Sequence, residues 1–174
     1  EALKQKLRIG EVYFAAPDTQ FKSFAERYLK FKDIVGRTTL NINENDAVLK
    51  ISAFQNGMSR LGRPDLTEVS DEELKILIDA STTPQLNLID VGGSESLEIG
   101  RAHDSWYNHP WVSSDVMMLL LFNADPLDRG LVEHWYEDRS KGYQFPADYE
   151  SRLAAIFAEQ KEELIEKLKS ESGD

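Results

Sequence analysis

The sequence predicts an α/β fold with a mostly parallel sheet, on three observations. Short runs rich in strand formers occur at 11–16, 37–43 and 86–91, and each ends in a turn signal. Helical patterns alternate with them along the chain. The runs read as strands covered on both faces. The order strand, helix, strand, helix, strand, helix therefore means βαβ units.

The first run, Glu11-Val-Tyr-Phe-Ala-Ala16, stops at Pro17-Asp18. Phe21, Phe24, Ala25, Tyr28 and Leu29 then recur at helical spacing, with Asp18 or Thr19 as the natural N-cap. Gly36 marks a break before the second strand, Arg37-Thr-Thr-Leu-Asn-Ile-Asn43, whose turn is Asn43-Glu-Asn-Asp46. A helix from about Ala47 to Gln55 follows, stopped by Asn56-Gly57. Residues 58–68 read as a loop. Ser70-Asp-Glu-Glu73 is a capping box that opens a short helix with Leu74, Leu77 and Ile78 on one face. The third strand, Leu86-Asn-Leu-Ile-Asp-Val91, ends at Gly92-Gly93. A turn-rich stretch carries His103 to Trp111, and Ser113 or Ser114 can cap a helix from Asp115 to Asn123 with Met117 to Phe122 as its core. Beyond Pro126, residues 130–146 read as aromatic and irregular, and 148–169 as an appended, charged helix.

Composition narrows the function. The 174 residues carry 31 acids against 20 bases, a formal charge of −11. That argues against nucleic acid, which needs clustered Lys and Arg to displace counterions, and against an anionic membrane surface. With no cysteine there is no disulfide, thiol nucleophile or thiolate metal ligand. The longest apolar run, Val116 to Phe122, is far too short for a transmembrane segment. No charged-then-apolar signal segment opens the chain; the compartment stays unassigned, with a cytoplasmic one favoured over the others.

In open parallel sheets, ligands sit outside the carboxyl ends of the strands. The turns after the three strands supply Asp18, Asp46 and His103. An acid after one strand and a histidine after a later one is what a Ser-His-Asp hydrolase needs in its second half. The histidine takes the nucleophile's proton, and the acid fixes its tautomer and stabilises the imidazolium. Asp46 and His103 stand in the order acid, then histidine. Each has an ordinary reading too: Asp46 can cap the helix after it, and His103 can be a loop histidine. Asp18 is the alternative acid or a second cap. His109, beside Pro110, reads as structural, and no metal-ligand spacing is recognisable.

The local sequence is more specific. Arg37 to Ser52 with Gly57 and Arg60-Leu-Gly62, then Ile89-Asp90, His103-Asp-Ser105-Trp-Tyr107 and Asp115, resembles an α/β-hydrolase family first catalogued as a domain of unknown function. Ala15-Ala-Pro17-Asp18 and Phe21 are similar to the strand after that family's nucleophile segment. The resemblance covers roughly residues 10–125. It implies that 1–126 is the C-terminal half of an α/β-hydrolase domain, containing the last three strands of a partial hydrolase fold, and that 127–174 is an appended aromatic segment and charged helix. It departs from the family at Ala102, where a Gly usually precedes the histidine, and in lacking a Gly-x-Ser-x-Gly elbow.

The resemblance implies a serine hydrolase acting on an ester or related acyl substrate. Asp46 and His103 belong to its triad, the serine is supplied by an upstream segment or a partner chain that completes the sheet, and no cofactor is needed. Trp106, Tyr107 and Trp111 are candidates to line the acyl pocket, or to cover the sheet edge. The alternative is a non-catalytic protein-interaction domain on a degenerate hydrolase scaffold.

Overall fold

A computed structural model describes residues 6–15, 17–43, 57–61, 63, 65–68, 70–92, 105–136 and 139–171. Its described elements are β1 (Ile9–Phe14), α1 (Phe21–Phe31), β2 (Val35–Ile42), α2 (Asp71–Ser81), β3 (Leu86–Asp90), α3 (Ser105–Asn108), α4 (Pro110–Phe122), β4 (Val132–Trp135), β5 (Lys141–Gln144) and α5 (Tyr149–Glu171). The sheet order is β1-β2-β3-β5-β4. The first four of these strands run parallel, and only β4, at the far edge, is antiparallel to its neighbour. The expected α/β class with a mostly parallel sheet is what the chain adopts.

The three strands read from apolar runs form for the reason given: both faces are covered. On one face α1 and α2 bury Phe21, Phe24, Tyr28, Leu40, Leu61 and Leu86 as one cluster. On the other, Val112 of α4 and Tyr149 of α5 pack with Ile89, Leu131, Tyr143 and Phe145. Helix α2 carries the anticipated capping box: Ser70 Oγ accepts from the Glu73 backbone N–H, and Glu73 accepts from the Ser70 N–H.

Several expectations change. Residues 130–146 are not irregular; they contain β4 and β5, so the sheet has five strands among the described residues and continues across position 126. Gly36 is not a break but part of β2, where a side chain would collide with the Gly10 carbonyl of β1. Helix α1 is capped by Gln20 rather than Asp18 or Thr19, without a side-chain hydrogen bond. Helix α4 starts at Pro110, five residues before Asp115. His109 is its N-cap, its Nδ1 accepting from Trp111 N at 3.3 Å, and proline is pre-shaped for the first helical position. Only Val112, Asp115, Met118 and Leu119 of that helix are buried. Met117, Leu120, Leu121 and Phe122, expected in the core, are exposed because α4 has the sheet on one side only. The helix expected at 47–55 lies outside the described residues.

Beside the apolar cluster around Val112, a set of polar and charged side chains also lies between α4 and the sheet. Arg37 on β2 donates from Nε to Glu11 Oε2 of β1 at 2.6 Å, and from its Nη atoms to Asp125 and to Asn123 just beyond α4. Deeper in, Arg129 Nη1 pairs with Asp115 Oδ2 at 2.9 Å, both side chains fully buried. Burial pushes the Asp115 carboxyl up to about 6; Arg129 opposes the shift and Glu11 adds to it. Burial likewise raises the Tyr13 hydroxyl, with the Asp115 charge adding to the effect.

Candidate functional site

The parallel strands bring their carboxyl ends to one edge, and the polar residues there come from four strands and one loop. The β2–β3 register runs to Ile42 opposite Asp90, and the ladder extends one step further through Val91 N donating to Ile42 O at 2.9 Å. At the exit of β3 the Asp90 side chain turns back on its own chain, Oδ1 accepting from Gly92 N at 2.8 Å. Its Oδ2 accepts from Gln144 Nε2 of β5 at 3.1 Å. Asn43, buried at the exit of β2, lies so close to Gly92 that a Cβ on that glycine would collide with its amide. Asn43, Asp90 and Gly92 each take part in further polar interactions.

At the exit of β1 the chain bends through Pro17 and Asp18 into α1. The segment 59–61 lies alongside that bend: Leu61 N donates to Thr19 O at 2.7 Å and Phe21 N to Ser59 O at 3.1 Å. This places the buried Arg60 beside Asp18, Nε to Oδ1 at 3.1 Å. Glu68 anchors the same segment by accepting from Ser59 N and Ser59 Oγ. Asp18, with a side chain 52% exposed, is thus engaged by an arginine at the carboxyl edge rather than capping α1.

Asp46 lies three residues past Asn43 and His103 eleven past Gly92, and both fall outside the described residues. What is described is the platform from which their segments depart. Trp106 and Tyr107 sit on α3, exposed, with their rings edge-to-face at 4.9 Å. Trp111 does something different: its ring lies against Phe145 and Tyr149, and its Nε1 donates to Glu150 Oε1 at 2.9 Å, tying α4 to α5.

Gln144 is the site residue that sequence reasoning missed. Its strand has no apolar run or alternation to announce it, and its hydrogen bond to Asp90 spans 54 positions. No three His, Asp or Glu side chains among the described residues are grouped to hold a metal ion, and no described helix is long and apolar enough to cross a membrane. No family model matches the chain, and neither a curated protein nor a solved structure matches it significantly.

Proposed function

We propose that this chain is the C-terminal part of a serine hydrolase that cleaves esters or related acyl compounds. The observation that carries the reading is the parallel pairing of β2 and β3 up to their last residues. These adjacent strands end at one edge, and in the sequence Asp46 follows the first and His103 the second, the order that the acid and histidine of a triad require. His103 takes the proton of an attacking serine, returns it to the leaving alcohol, and repeats the cycle with water on the acyl-enzyme. Asp46 orients the imidazole and stabilises its charged form. The serine is contributed by sequence outside these 174 residues or by another chain.

Reaction of the natural-length protein with a fluorophosphonate, read by mass spectrometry, tests this directly. Labelling and hydrolysis of a p-nitrophenyl ester should fall by about 10⁴–10⁶-fold in His103→Ala, with circular dichroism unchanged. Full activity in that variant, or a folded wild-type protein that neither labels nor hydrolyses, overturns the reading.

One observation favours a non-catalytic interaction module instead: the exposed apolar residues Met117, Leu120, Leu121 and Phe122 on α4, which suit a protein partner. Binding of such a partner would be indifferent to His103→Ala.

A further inference from the structure

We propose that Gln144 and Asp90 are positioning residues for the catalytic edge, an inference that rests on the hydrolase reading. Asp90 closes a three-residue turn onto Gly92 N at 2.8 Å, which sets the direction in which the chain leaves β3 as far as Gly92. A carboxylate at a strand end has several rotamers, and only one makes that turn. Gln144 selects it by donating from Nε2 to the other oxygen, Oδ2, at 3.1 Å. The rotamer at the exit of β3 is therefore set from β5.

The clip reaches β2 as well. The Asn43 side chain packs directly on Gly92, and a Cβ at that position would displace the Asn43 amide. Val91 N holds Ile42 O at 2.9 Å beside it. The exits of β2 and β3, from which the triad acid and base depart, are thus fixed to each other through Asn43, Gly92, Asp90 and Gln144. Proton transfer between a serine and a histidine tolerates little displacement, and a misplacement of about 1 Å can cost about a hundredfold in rate. Gln144 never touches substrate in this arrangement; it acts through Asp90 on the backbone.

The test uses the natural-length protein and a p-nitrophenyl ester, with wild type, His103→Ala, Gln144→Glu and the double variant Asp90→Asn/Gln144→Glu. Gln144→Glu sets carboxylate against carboxylate and breaks the clip. The double variant restores it: the new amide at position 90 still accepts from Gly92 N and donates to the new carboxylate at 144. In Gln144→Glu, kcat should drop about tenfold to a hundredfold with KM little changed. The fluorophosphonate should label the same fraction of molecules, but more slowly. A merely structural defect would lower the labelled fraction instead. The double variant should recover most of the rate.

Wild-type kcat in Gln144→Glu, or a loss that the double variant leaves unrepaired, overturns the positioning role while leaving the hydrolase reading intact. Absence of hydrolysis in folded wild type, or full activity in His103→Ala, overturns the hydrolase reading and this role with it.

Discussion

Asp115 and Arg129 are opposite charges with no exposure to solvent, and such a pair is held at a cost. Asp115 is raised from 3.8 to about 6 by its burial, so the folded protein keeps a proton that the unfolded chain has already released across that window. The stability from this group is fully present below the unfolded value and is lost as pH rises through about 6. The consequence for mutation follows. At neutral pH, removing the cation by Arg129→Met strands a buried carboxylate and should cost about 3–5 kcal/mol in urea unfolding. Below about pH 6 the carboxyl is neutral and the cost should shrink. An equal loss at both pH values would mean that Asp115 stays ionised throughout. Neither half of this pair was legible as such: Asp115 reads as the opening residue of its helix, and Arg129 lies past Pro126 in a stretch with no periodicity to mark it as interior.

Elements were legible where burial imposes a pattern. Helix α2 is the clearest case, since the capping box and the apolar face both sit in one short window. Ser70→Ala removes the side-chain acceptor for Glu73 N and should lower stability by about 1 kcal/mol in thermal melts. No measurable change would mean that the first turn of α2 is held by its packing alone. Strands β4 and β5 are four residues each, Val-Glu-His-Trp and Lys-Gly-Tyr-Gln, too short and too polar to show a period. They are strands because β3 offers a ladder, and Gly142 allows the Leu88 carbonyl and the Tyr136 ring to approach closely. Helix α4 misled in the opposite sense. It is apolar all round, which reads as interior, yet Leu120 is 68% and Leu121 65% exposed. The exposed apolar face of α4 and the edge strand β1, which pairs on one side only among the described residues, each invite association. The 174-residue chain should therefore self-associate in light scattering, and Leu120→Glu with Leu121→Glu should reduce that without lowering the melting temperature. A monodisperse wild-type monomer would sink this expectation.

At the scale of the molecule, the sheet does not respect the division that composition suggests. The chain changes character beyond Pro126, but β5 pairs directly with β3, and Leu131, Tyr143, Phe145 and Tyr149 share a core with Ile89. A chain ending at Pro126 would lose Arg129 from beside Asp115, the β5 partner of β3, and the aromatic floor under Trp111. Each loss alone falls in the class of large destabilisations, and together they should abolish cooperative unfolding. The far end of α5 is different, because every described side chain beyond Gln160 is exposed. Ending the chain after Lys161 should therefore change stability by no more than about 0.5 kcal/mol. The two truncations separate a folding role from a docking role for the tail. If the chain ending at Pro126 still melted cooperatively, β5 would be an addition to a self-sufficient sheet. If it unfolds while the chain ending at Lys161 does not, the segment from Arg129 to Tyr149 is part of the domain. Gln144 then supports Asp90 as an integral strand residue, at the same edge from which the His103 segment departs.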